Sequence, residues 1–167
     1  MLVDGFRFLP RSFVPLYAEV QRLPGEEGEV WAPFEPRLAD ASVALLTSAG
    51  ISVAGLQPAF DLDGERRDPA WGDPSFRLVP HDGDPPLVVS HLHVNTADIE
   101  ADRNVALPVD PLQALVDEGR VGAAGPRHVS VMGYQQAGLD EWRSRTAPAI
   151  VEVLRDQRTH GVVLAPV

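Results

Sequence analysis

Two short, continuous apolar runs and two further strand-like segments, separated by segments carrying helix punctuation, point to an α/β architecture. Residues 42–50 (SVALLTSAG) and 161–167 (GVVLAPV) are continuous hydrophobic stretches of strand length, as expected for strands buried on both faces of a parallel sheet. Residues 85–90 (PPLVVS) and 127–132 (RHVSVM) read as two further strands. Residues 110–119 carry the signals of a helix: Asp110 as N-cap, Pro111 at the first helical position, Leu112, Leu115 and Val116 on one face, and Gly119 as the stop. Residues 139–158 predict a long amphipathic helix with Ile150, Val151, Val153 and Leu154 inward and Pro148 as a kink or break.

Strand, helix, strand, helix, strand predicts an open, mostly parallel sheet with helices on both faces, a three-layer arrangement of the flavodoxin or Rossmann kind. At 167 residues and 44% hydrophobic content the chain has material for one core. The expected division is an N-terminal arm, residues 1–40, followed by a single α/β domain, residues 41–167. The arm is dense in proline and aromatics, including Phe6, Phe8, Pro10, Phe13, Pro15 and Trp31. It therefore cannot be one long helix, although residues 14–23 predict a short one. Residues 57–84 are rich in Pro, Gly and Asp and read as a long connection, a type often tied to function.

Fourteen basic residues stand against 24 acidic ones, a net charge of −10. Such a balance disfavours nucleic acid or an anionic membrane as partner and suits small polar substrates or proteins. Every basic residue is arginine, so no Schiff-base lysine is available. With no cysteine, these residues form no disulfide, thiolate metal site or cysteine nucleophile, and any thiol or selenol chemistry comes from elsewhere. The N-terminus lacks the pattern of a signal peptide, no run approaches a membrane span, and a cytoplasmic location is expected.

Several constellations could carry chemistry. His91 and His93 follow a strand, and period-two alternation would put both imidazoles on one side. With Asp98, Glu100, Asp102 and Asn104 downstream they could form a metal site or an acid–base pair, or simply a hydrogen-bonded pair shaping a loop. Thr47, Ser48 and Gly50 stand where hydroxyls and backbone N–H groups meet ligands in α/β proteins, or where an ordinary turn leaves the strand. No P-loop or dinucleotide fingerprint is present. Arg77, beside Asp73 and Ser75, could grip a substrate carboxylate or pair with Asp73. His128 and Ser130 lack a nucleophile elbow, so His128 is expected to be buried against a backbone partner. His81 and His160 are expected at the surface or in loops.

Residues 90–122, SHLHVNTADIEADRNVALPVDPLQALVDEGRVG, resemble the selenoprotein B subunits of glycine, sarcosine, betaine and D-proline reductases, particularly their short relatives. The shared pattern is supplied by His91, His93, Asp102, Asn104, Leu107, Pro108, Asp110, Leu112, Leu115, Glu118, Gly119, Val121 and Gly122. The segments VALLTSAG, GDPSFRLVP, RHVSVMGY and GVVLAPV extend the likeness from about residue 30 to residue 167.

The resemblance implies reductive cleavage of a carbon–heteroatom bond in a small amine or amino-acid-like substrate. The reductive element of that family is a selenocysteine or cysteine followed two residues later by cysteine, directly after a strand like VVLAPV. The expectation is therefore a longer selenoprotein whose redox pair lies beyond Val167, past an in-frame UGA codon; the competing reading is a redox-less relative that only binds. The resemblance also implies a thiol reductant such as a thioredoxin-like protein, and a pyruvoyl group on a partner subunit where one is used. Under this reading His91 and His93 are the candidate catalytic residues, one of them holding or protonating the leaving group. Thr47, Ser48, Gly50, Asp73, Ser75, Arg77, Asp102 and Asn104 are the candidate substrate contacts. No metal is expected, although a metal-dependent hydrolase or lyase built on the His pair is a third reading. An exposed sheet edge leads to the expectation of a homodimer.

Overall fold

Strand β1 (Ser42–Thr47) is the hub of the sheet. In the computed structural model, which describes residues 32–68, 70–133 and 139–167, its side chains alternate between two apolar cores. Val43 and Leu45 face one core and Leu46 the other. The chain continues through β2 (Ile51–Val53), helix α1 (Leu62–Arg67), β3 (Phe76–Pro80), β4 (Leu87–Val89), α2 (Thr96–Ala101), α3 (Val109–Asp117), β5 (Ala123–Ala124) and β6 (Arg127–Val131). A single α-turn α4 (Leu139–Glu141), a π-helical stretch (Trp142–Thr146), α5 (Ala147–Asp156) and β7 (Gly161–Ala165) complete it.

Along one edge β1 pairs in parallel with β7, from Val43 opposite Gly161 to Thr47 opposite Ala165. Along its other edge it pairs, also in parallel, first with β5 and then with β6. Val43 lies opposite Ala124 but Leu46 lies opposite Val129, so Gly125 and Pro126 form a bulge between two pieces of one edge. β3 closes the far side of β6 in antiparallel register. A separate antiparallel pair, β2 with β4, adjoins the end of β1.

The sheet is thus mixed and mostly parallel, with apolar packing on both faces as the sequence predicts. One face is covered by α2 and α3, which bring Ile99, Val109 and Leu112 onto Val43, Leu45, Ile51 and Val79. Burying side chains of this size stabilises the fold by roughly 1.5–3 kcal/mol each. The opposite face is covered by the π-helical stretch and α5, where Trp142, Ile150 and Leu154 pack on Leu46, Val129, Val131, Phe76 and Leu78.

Several expectations need correction. Residues 57–84 are not merely a connection: α1 and β3 lie within them. The N-cap of α3 is Pro108 rather than Asp110, and the Asp110 N–H is met by the Asn104 side-chain oxygen, 3.0 Å away. Pro148 marks the expected break, where the π-helical stretch gives way to α5, but Val151 faces solvent rather than the core. His81 is buried. The short helix predicted at residues 14–23, and most of the arm, lie outside the described residues.

Candidate functional site

The carboxyl ends of β1, β6 and β7 converge, and Ser48 joins them. The Val167 N–H donates to Ser48 Oγ at 2.9 Å, and that hydroxyl donates to the Val167 carbonyl at 3.3 Å. Ser48 also packs against Gly133, just beyond β6. Here lies a pocket of about 330 Å³, lined by Ser48, Val131, Met132, Gly133, Leu139, Trp142, Arg143 and Ala147. Its walls are mostly apolar, with one hydroxyl and one guanidinium.

Gly50 connects this pocket to the His segment. Its φ of +64° reverses the chain after β1, a conformation that costs glycine little. Its N–H donates to the Val131 carbonyl at 3.0 Å, and its carbonyl accepts from the Ser90 N–H at 2.8 Å. A Cβ at this position would lie 2.1 Å from the Ser90 oxygen and 2.8 Å from Met132 Sδ. Met132 in the pocket wall and Ser90, which precedes His91, therefore flank the same glycine.

β4 stops at Val89, and residues 92–94 bend, so strand geometry does not carry through His91 and His93. The two imidazoles nevertheless meet edge to face, with centroids 5.9 Å apart. The His93 N–H donates to His91 Nδ1 at 3.1 Å, which fixes the remaining proton of neutral His91 on Nε2. Burial lowers the pKa of His91; Glu65 opposes that shift and His93 adds to it. His93 Nε2 lies 3.3 Å from Oε1 of Glu65, a buried carboxylate on α1. Sequence reasoning missed Glu65, because an isolated glutamate among charged residues carries no signal of burial. Among the described residues no group of three or more His, Asp or Glu side chains is arranged to hold a metal ion.

The other candidate residues sit in separate clusters. Thr47 is fully buried, and its hydroxyl accepts from the Ala49 N–H at 3.2 Å, closing the turn after β1. Arg77 donates to the carbonyls of Pro58, Phe76 and Ala59 and to Ser75 Oγ, and its guanidinium lies over the Phe60 ring. Asp73 accepts from the Ser75 hydroxyl, the Ser75 N–H and the Asp61 N–H, and lies 3.8 Å from Arg77. Burial raises the Asp73 pKa, but these bonds and Arg77 hold it below the usual carboxylate value. Asp102 and Asn104 form a third cluster with Asp110 and Arg103. Hydrogen bonds from Asn104 and Arg103 lower the pKa of Asp110.

No family model and no solved structure matches the chain. A curated relative does: the D-proline reductase subunit gamma of Acetoanaerobium sticklandii is 31% identical over 138 residues, covering 81% of this chain. The chain belongs to the proline and glycine reductase family. This reductase-family chain spans about half the length of that relative, 52%.

Among the described residues of this reductase-family member, no helix is long and apolar enough to cross a membrane. The relative is by its name one subunit of a reductase. Two pieces of the family pattern acquire physical roles. Asn104 and Asp110 hold the start of α3, and Gly122 lies against the backbone of Asp40 and Ala41, where a Cβ would come within 2.7 Å.

Proposed function

We propose that this chain is a subunit of a reductase that cleaves a carbon–nitrogen bond in a small amino-acid-like substrate, with D-proline the first candidate and a selenol or thiol from outside these 167 residues as the nucleophile. One observation carries the reading: the end of β7 is tied by Ser48 to the rim of an apolar pocket at the carboxyl ends of three strands. A selenol or thiol brought to this strand end would meet that pocket at once. The lining suits a selenocysteine or cysteine pair, since polarizable Met132 and Trp142 exclude water and the charge of Arg143 favours an anionic selenium or sulfur. Such a pair supplies the nucleophile and two electrons.

This chain's own residues hold and move protons. Cleavage with two electrons and two protons converts a C–N bond into C–H and N–H, and the departing nitrogen needs a donor. His93 supplies it from Nδ1 of its protonated ring, which is left as the neutral Nε2–H tautomer, with His91 beside it holding the local backbone. Ser48 fixes the strand end. A pyruvoyl group, where one is used, comes from a partner subunit, and a thioredoxin-like protein or small dithiol returns the redox pair to its reduced form.

The test is to read the codons after Val167, produce the continuous chain with its partner subunits, and measure dithiol oxidation that depends on D-proline or another small amino acid. Substrate-dependent oxidation with release of a ring-opened or deaminated product is the expected result. A complete chain that binds amino acids but oxidises no dithiol overturns the reading in favour of a binding subunit.

A further inference from the structure

The buried carboxylate beside His93 lies outside the family pattern, on a helix within the Pro/Gly-rich connection. We infer that Glu65 is a positioning residue: it holds His93 in one orientation and one tautomer, so that His93 Nδ1 is the atom that exchanges a proton with the substrate nitrogen. The inference rests on the proposed reductase reading for the identity of that nitrogen. It rests on geometry alone for the pairing.

Glu65 is 4% exposed, and among the described residues its ionic contact is His93, 3.3 Å away. Its second oxygen, Oε2, is buried and accepts no hydrogen bond from any described residue. Among the described residues no arginine pairs with it, although Arg66 and Arg67 follow directly on the same helix. Those two turn outward to Asp63 and Asp61. A carboxylate buried with one oxygen unbonded is unfavourable for folding, and such groups call for an explanation beyond packing. A carboxylate behind an imidazole fixes which ring nitrogen carries the proton and stabilises the protonated ring.

The tautomers follow from the partners. Glu65 Oε1 lies 3.3 Å from His93 Nε2, and the attraction of the carboxylate for an N–H there favours the proton of neutral His93 on Nε2 and the lone pair on Nδ1. His93 is largely exposed at the ring, so Nδ1 is open to a ligand. Two groups face it: Glu65 from α1, and His91 from its own segment, edge to face.

Helix α1 is anchored well enough to serve as a support. Asp61 Oδ1 accepts from the Gly64 N–H at 2.8 Å, and Asp73 accepts from the Asp61 N–H at 3.0 Å. The Trp71 ring lies so close to Gly64 that a Cβ there would come within 2.2 Å of it. Arg77 binds the carbonyls of Pro58 and Ala59 that lead into the helix. The cluster of Asp73, Ser75 and Arg77 thereby acts on the site by holding Glu65 behind His93.

Two measurements test this. In ¹⁵N-imidazole NMR of the chain as it stands, His93 is expected as the Nε2–H tautomer. Glu65→Leu, which removes the acceptor and suits a buried position, should convert it to a mixture while the His81 and His128 signals stay in place. An unchanged His93 spectrum overturns the inference, and this arm needs no activity. In the assembled reductase, Glu65→Gln should lower kcat by about 10²-fold with little change in KM and displace one limb of the pH profile. The double variant with His93→Gln should be no slower than His93→Gln alone. Additive losses, or an unmoved pH profile, overturn it. A wild-type assembly that reduces no amino acid sinks the proposed function and leaves the NMR result to decide the pairing.

Discussion

His128 uses both ring nitrogens inside the fold. Where the bulge at Gly125 and Pro126 breaks the β1–β6 ladder, the Leu45 N–H donates to His128 Nδ1 at 3.1 Å. His128 Nε2 then faces His81 Nδ1 at 3.0 Å, and His81 Nε2 faces Gln113 Oε1 at 2.7 Å. The partners assign neutral His128 as the Nε2–H tautomer, donating toward His81, and His81 Nε2 as the donor to Gln113. The expectation of a backbone partner for His128 is met; the link to His81 was not legible, because the antiparallel pairing of β3 with β6 brings the two together. Burial pushes the His128 pKa down to about 4, with the charges of His81 and Arg103 adding to the effect. The unfolded ring titrates near 6.5, so the unfolded state binds the proton first as pH falls. Stability is therefore full above pH 6.5 and declines to pH 4 by about 3 kcal/mol in all. Urea unfolding across that window should show the slope, and His128→Leu should remove it while costing about 1–3 kcal/mol at pH 7 through the orphaned Leu45 N–H.

At the scale of elements, continuous apolar composition made β1, β6 and β7 readable, and helix punctuation made α3 readable. β2, three residues long, carries too little pattern, whereas β4 was readable within the run PPLVVS. β3 was hidden by prolines on both sides, although Arg77 and Val79 alternate with Phe76 and Leu78. The candidate residues were individually visible, yet their division into a strand-end pocket, an Arg77 clasp and an Asn104 cap depends on tertiary packing. The bulge has a consequence of its own. Because the two extra residues match the two-residue pleat, Ser130 and Ala124 face the same side of the sheet as their partners Thr47 and Val43. Deleting Gly125 alone should turn Val129 and Val131 away from α5 and abolish cooperative unfolding. Deleting Gly125 and Pro126 together should keep the faces in register and leave a folded protein, weakened at the His128 contact; circular dichroism melts distinguish the two.

Across the whole molecule, β7 is the exposed margin of the sheet. Its free edge presents Val162, Val163 and Leu164, the last 67% exposed. An apolar edge strand of this kind is a template for another chain. Sedimentation velocity of the 167-residue chain should show concentration-dependent association, and Leu164→Lys should shift it toward monomer without lowering the melting temperature. β1 also binds a strand on each side, and its partners are distant in sequence: 83 residues separate Leu45 from His128, and 118 separate Ser42 from His160. A sheet organised around one early strand gains little from local contacts, so most of its chain must be gathered before any of its hydrogen bonds are worth making. Refolding should accordingly run in milliseconds to seconds rather than microseconds, and stopped-flow fluorescence of Trp142, which reports closure of the second core, would time it.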